Sequence, residues 1–195
     1  MPLLSDVSYM FSGCWNLGQT VISSGAKYSL PVDDAGRSLL FKNNKQLQNV
    51  AGLLQKTIVH NIPSDLFTGC TLISDVSYMF NLANRSNANI PTVLFDYCPN
   101  ISTIRCFAGE SGSVYQASYS LTTFPSAIFK PWDGQIGQKN IEDVFCAFRN
   151  NPSAEGTAIL FYNWSVAPKT FAGCYHMCNK LSNYNSIDPS YTASA

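Results

Sequence analysis

An apolar pair, mostly Leu-Phe, recurs along this chain at Leu40-Phe41, Leu66-Phe67, Leu94-Phe95, Ile128-Phe129 and Leu160-Phe161, with Phe-to-Phe steps of 26, 28, 34 and 32 residues. A period in that range is the mark of a solenoid, in which each unit buries its apolar side only against its neighbours. Such chains serve as extended binding surfaces, so the repeat narrows the functional question before any motif is considered.

The repeat extends beyond the pair. Phe67 is followed in fixed register by Cys70, Ile73, Val76, Met79 and Phe80. The same offsets from Phe41 give Asn44, Leu47, Val50, Leu53 and Leu54, and from Phe95 they give Cys98, Ile101, Ile104, Phe107 and Ala108. From Phe129 the first offset is Trp132; a six-residue insertion follows, and Ile141, Val144, Ala147 and Phe148 resume the series. The first residues fit as a truncated unit, because Ser5-Asp6-Val7-Ser8-Tyr9-Met10-Phe11 is letter for letter Ser74-Asp75-Val76-Ser77-Tyr78-Met79-Phe80. Near the C-terminus Phe161 and Trp164 keep the register, with about three residues missing before Phe171.

Within a unit, an apolar residue and Pro precede the pair: Leu30-Pro31, Ile62-Pro63, Ile90-Pro91 and Phe124-Pro125. Proline lacks a donor and fixes its own φ, so it suits the end of a short strand or the first turn of a helix. The preceding residues, Thr57 to Ile62 for example, alternate in polarity and read as a strand. Apolar residues three and four apart after the Pro read as helical turns, and Asp6 and Asp75 read as caps of a second one. The expected architecture is an α/β repeat with short parallel strands and irregular coils of 26–34 residues. It forms a single domain over 1–195, with a partial coil 1–29 and coils near 30–61, 62–89, 90–123, 124–158 and 159–195. The sheet face is the natural binding face.

The phrase Ile62-Pro-Ser-Asp-Leu-Phe-Thr-Gly-Cys70, followed by Val76-Ser-Tyr-Met-Phe80, resembles the leucine-rich repeats of BspA-like surface proteins. Phe11-Ser-Gly-Cys14 and Phe171-Ala-Gly-Cys174 carry the same signature. The resemblance implies a leucine-rich-repeat solenoid used as a noncatalytic scaffold for adhesion, matrix binding or host contact, on a bacterial surface or in a phage tail or fibre. It implies a protein or glycan ligand and an extracellular or virion location.

Composition fits that reading. Charged residues are only 12% of the chain and the formal net charge is zero, so no basic patch points to nucleic acid or an anionic membrane. The first residues show neither a basic region nor a long apolar stretch, so no signal peptide is read there, and no run approaches membrane-spanning length. The first coil lacks a polar cap, which makes a fragment, a covering partner or self-association through the solenoid ends the expected explanations.

No catalytic constellation emerges. His60 and His176 lack a nucleophile motif, the twelve carboxylates are scattered, and there is no phosphate loop. Cys174 and Cys178 with His176 are too few for a metal site, and no cofactor is expected. Cys14, Cys70, Cys98 and Cys174 each follow a Phe by three residues and read as interior thiols, while Cys106 and Cys146 share the slot of Tyr9 and Tyr78. The insertions 25–39, 109–121 and 131–140 are the better functional candidates, since added loops in repeats cluster on one, often binding, face. Tyr115 and Tyr119 in one loop, and Trp132 opening the next, are the candidate binding residues, though Trp132 also fits the core slot of Cys70. Asn84-Arg-Ser, Asn100-Ile-Ser and Asn163-Trp-Ser match the N-glycosylation pattern, which matters only in a eukaryotic secretory pathway.

Overall fold

The computed structural model describes residues 4–14, 17, 19–22, 25–28, 30–57, 59, 61–81, 90–109, 128–129, 141–148 and 169–170. Equivalent positions of successive repeat units pair in parallel: Asp6 with Asn49, Asn49 with Asp75, Asp75 with Thr103, Thr103 with Asp143, and Asp143 with Thr170. The steps along the chain are 43, 26, 28, 40 and 27 residues, yet every step lands on the same register position.

The backbone bonds run in columns through these bridges. In the first column Val7, Val50, Val76, Ile104 and Val144 donate their N–H groups to the carbonyls of Asn49, Asp75, Thr103, Asp143 and Thr170, at 2.9–3.2 Å. Tyr9, Gly52, Tyr78 and Cys106 form a second column onto Ala51, Ser77, Arg105 and Phe145. Phe11, Leu54, Phe80 and Ala108 form a third onto Leu53, Met79, Phe107 and Ala147, and Gly13 and Lys56 a fourth onto Gln55 and Asn81. A polar side-chain line accompanies the fourth column: Ser12 Oγ donates to Gln55 Oε1, Gln55 Nε2 to Asn81 Oδ1, and Asn81 Nδ2 to the Gly109 carbonyl. Asn81 is buried, so these partners supply the bonds its amide would otherwise lose.

The intervening amides stay inside their own unit. Met10, Leu53, Met79, Phe107 and Ala147 each donate to the carbonyl three residues back, at Val7, Val50, Val76, Ile104 and Val144. The third residue of each of these turns has positive φ: Tyr9 (54°), Gly52 (61°), Tyr78 (56°), Cys106 (49°) and Cys146 (52°). A positive φ at the third position is what a type II turn requires, and it stops the chain from continuing as a helix. Here four of the five positions carry a side chain rather than glycine, at a cost of roughly 1–2 kcal/mol each.

The segment after Asp6 and Asp75, expected as capped helix, is therefore a series of turns, and no helix occurs among the described residues. The Asp residues still cap, but through Asx turns: Asp6, Asn49, Asp75 and Asp143 accept from the N–H two residues on, at Ser8, Ala51, Ser77 and Phe145. The parallel bridges from Asp6 to Thr170 pass through this segment; in the stretch before Ile62-Pro63, Asn61 is also a bridge residue and accepts from the Leu30 N–H, while 58 and 60 lie outside the described residues.

Alternation about the bridges builds the core. Val7, Val50, Val76, Ile104 and Val144, one residue beyond the bridges, are all buried, as are Leu47, Ile73, Ile101 and Ile141. Phe41, Phe67, Phe95 and Phe129 form a stack with centroids 6.2, 5.6 and 5.5 Å apart and near-parallel planes. Phe107 meets Phe80, Phe95, Phe129 and Phe148 edge-on. Offset-stacked and edge-to-face rings of this spacing add to the area term, which for a fully buried Phe is itself about 1.5–3 kcal/mol.

The thiols divide by position. Cys70 donates its S–H to the Phe41 carbonyl of the preceding unit at 2.9 Å, and Cys98 lies in the same relation to the Phe67 carbonyl at 4.0 Å. Both are buried, with Cys106 and Cys146. Cys14 departs from the interior expectation and is exposed. Its Phe11 occupies the Phe80 position rather than the Phe67 position, so the three-residue spacing does not carry it inward.

The longest step, from Asp6 to Asn49, holds the insertion at 25–39. Two strands, β1 (Gln19–Ile22) and β2 (Gly25–Tyr28), pair antiparallel in the register Gln19 to Tyr28. A tight loop follows, closed by an antiparallel bridge between Val32 and Ser38. Asp33 accepts the N–H groups of Ala35 and Arg37 and the Arg37 guanidinium, and Gly36 supplies the positive φ of 74°. Asp65 fastens this loop to the next unit by accepting from the Ser38 N–H at 2.8 Å and from Lys42 Nζ at 2.7 Å.

Candidate functional site

The bridges define a face. Along it run Asp6, Asn49, Asp75, Thr103, Asp143 and Thr170, and two residues further on Ser8, Ala51, Ser77, Arg105 and Phe145. Both sets flank the buried Val and Ile positions, and within the second set Ala51 and Ser77 are themselves buried. Tyr9 and Tyr78 stand at the positive-φ turn that follows, Tyr9 exposed and Tyr78 partly buried.

Hydrogen bonds across the units order this face. Asn49 Nδ2 donates to Asp6 Oδ2 at 3.1 Å, and the hydroxyls of Ser77 and Thr103 pair at 3.0 Å. Arg105 Nε donates to Asp143 Oδ2 at 2.8 Å while its guanidinium lies 4.7 Å from the centre of the Phe145 ring. Thr170 donates its hydroxyl to Asp143 Oδ1. At the exposed margin Lys169 pairs with Glu142 at 2.7 Å.

The electrostatics follow from these contacts. Burial works to raise the Asp143 carboxyl, but the Thr170 hydroxyl, the Phe145 N–H and Arg105 outweigh it and hold Asp143 below its ordinary value. Asp6 is lowered by the Ser8 hydroxyl and N–H. Burial, reinforced by the Cys106 thiol, raises the Tyr78 phenol. The face thus offers ionised carboxylates, hydroxyls, an amide, one guanidinium seated on a ring, and tyrosines. That set can hydrogen-bond and stack against a polyol or a peptide.

Tyr115, Tyr119 and Trp132 lie outside the described residues, as do His60, His176, Cys174 and Cys178. Of the glycosylation patterns, Asn100 is described, and its Nδ2 donates to the Thr71 carbonyl of the preceding unit at 2.9 Å. Arg105, Phe145 and Tyr78 were not singled out as binding residues by sequence, although the duplicated Val-Ser-Tyr-Met-Phe phrase marks the Tyr78 position. Among the described residues no group of three or more His, Cys, Asp or Glu could hold a metal, and no helix is long and apolar enough to cross a membrane. No protein-family model, curated protein or solved structure matches the chain.

Proposed function

We propose that this chain is a leucine-rich-repeat solenoid acting as a noncatalytic binding module, which recognises a protein or glycan ligand at a cell or matrix surface. The observation that carries the reading is the run of parallel bridges, in which Asn49, Asp75, Thr103 and Asp143 pair in turn through the backbone while Arg105 bonds Asp143 and lies over the Phe145 ring. A surface held in place by backbone columns loses little freedom on binding, which favours affinity from individually weak polar and aromatic contacts. Tyr115, Tyr119 and Trp132 are proposed to extend the same surface from the insertions.

The test is binding to glycan and matrix-protein arrays. Tyr78→Ala with Arg105→Ala is expected to weaken a captured ligand about tenfold or more, the equivalent of about 1.4 kcal/mol. Tyr115→Ala, Tyr119→Ala and Trp132→Ala form the second set. Ligand capture that survives both sets sinks the proposed surface, and a chain that captures nothing sinks the binding reading.

A second reading, a phage tail or fibre component using the repeats for receptor contact or assembly, is favoured by the first unit. Leu4, Tyr9 and Met10 there are 52, 48 and 46% exposed. Exposed apolar side chains grouped in this way suit contact with another protein.

A further inference from the structure

We propose that the Arg105–Asp143 pair, with Tyr78 beside it, is a sugar site that takes a neutral glycan by two adjacent ring hydroxyls. This rests on the binding reading above and names its ligand class.

The guanidinium is fixed before any ligand arrives. Arg105 Nε donates to Asp143 Oδ2 at 2.8 Å, and the central guanidinium carbon lies 4.7 Å from the centre of the Phe145 ring. Both Nη groups are without a partner among the described residues, and the side chain is 38% exposed. A guanidinium held at Nε and seated on a ring keeps its remaining N–H donors in a rigid fork, so little side-chain freedom is lost when they bind.

The carboxylate beside it is held as firmly. Asp143 Oδ1 accepts from the Phe145 N–H and the Thr170 hydroxyl, while Oδ2 takes the Arg105 bond alone. A carboxylate oxygen has room for two donors, so Oδ2 keeps one accepting position next to the Nη donors. A donor and an acceptor at hydrogen-bond spacing match two adjacent hydroxyls of a pyranose. One ring oxygen substituent accepts from Nη, and the neighbouring O–H donates to Oδ2. Tyr78, on the preceding unit, donates its backbone N–H to the Arg105 carbonyl, and its phenol and the guanidinium are close enough to interact. Burial raises that phenol, so it stays protonated and adds a hydroxyl donor.

Other ligand classes match this arrangement less well. An acid sugar or a phosphate gains the fork but little charge attraction, because Asp143 already neutralises Arg105 and the other charges along these bridges are Asp75 and the Glu142–Lys169 pair. A strand-adding peptide needs unbonded backbone, and here the carbonyls of Thr103 and Arg105 and the N–H groups of Ile104 and Cys106 are all bonded within the columns. A protein hot spot needs an apolar anchor in a pocket, and the Phe145 ring lies under the guanidinium.

An array of neutral oligosaccharides of glucose, mannose, galactose and xylose, with oligogalacturonate, collagen and laminin as further spots, tests this on the full chain. The expected result is capture by a neutral oligosaccharide, lost once periodate has cleaved its adjacent hydroxyls. Arg105→Lys keeps the charge beside Asp143 but not the fork, and is expected to weaken capture about tenfold or more; Tyr78→Phe is expected to cost less. Melting of both variants checks the fold, and should either melt early, the periodate comparison on the parent protein decides. Preference for oligogalacturonate over every neutral sugar, capture indifferent to periodate, or full affinity in a folded Arg105→Lys variant overturns the proposal. Capture of collagen or laminin without any sugar overturns it too and leaves the binding reading standing, whereas no capture on any spot removes both.

Discussion

The ring of Tyr9 lies over Gly52, so closely that a Cβ at residue 52 would meet its Cε1 at 2.3 Å and its Cδ1 at 2.4 Å. The two residues hold the same position on adjacent units, and both have positive φ. With the Tyr9 ring where it lies, residue 52 has no room for a Cβ. Gly52→Ala is expected to cost about 1 kcal/mol from the left-handed backbone, plus the displacement of the exposed Tyr9 ring. Repeating the substitution in a Tyr9→Ala background removes the clash and leaves the backbone cost. Thermal melting of the four proteins checks this, and equal losses in both backgrounds would rule out the ring contact as a cause.

The phenylalanine stack should be unequal along its length. Phe95 is fully buried between Phe67 and Phe129, whereas Phe41 ends the described stack and is partly exposed. Phe95→Ala is expected to lose about 3–5 kcal/mol, in the range of large-to-small core changes, and Phe41→Ala less. Urea denaturation of both variants reads the difference; comparable losses would contradict the stacking order.

Acid should weaken the bridge face. The native state holds Asp143 and Asp65 below the ordinary carboxylate value; burial opposes this in both, and the hydrogen bonds with Arg105 and Thr170, or with Lys42 and Ser38, outweigh it. A carboxyl lowered on folding contributes stability that is fully present above its unfolded value near pH 3.9 and is lost as pH falls through the native value. Melting temperature is therefore expected to fall below about pH 4, and Asp143→Asn should flatten part of that fall. A variant whose melting temperature falls as steeply as the parent's would remove Asp143 from the account.

Thiol reactivity should separate the cysteines. Cys14 is exposed, while burial raises the Cys70 thiol and its S–H is engaged with Phe41. Alkylation follows the thiolate and its access. Among the described cysteines, Cys14 is expected to be labelled by iodoacetamide first under native conditions, and Cys70 only as the chain unfolds. Mass mapping of early label on Cys70 would place it at an accessible site instead.

The apolar register was readable because burial imposes it: Leu47, Ile73, Ile101 and Ile141 recur wherever the chain crosses the same part of the core. The backbone path between them was less so. Asp75 suits a helix N-cap and an Asx turn equally, since both satisfy an N–H shortly after it. The turn that decides between them needs positive φ at Tyr78, and tyrosine, unlike Gly52, announces nothing of the kind. Arg105 meets Asp143 and Phe145 across a 40-residue step from Thr103 to Asp143, whose insertions hide the pairing from simple spacing.

The backbone columns have an electrical consequence. The carbonyl of Asn49 and the N–H of Val50 belong to one peptide group, and so do the matching pairs in each unit and each column. All of these groups point the same way. Neighbouring dipoles in ordinary sheets largely cancel; here the turn amides bond within their own unit and one set of N–H groups, such as Ser74 and Asp75 onto Gln48, runs the other way, so among the described units the aligned groups outnumber the opposed ones and leave a net dipole. The described units of a chain with no formal net charge thus carry a backbone dipole whose negative side lies at the carbonyls of Asp6 to Ser12.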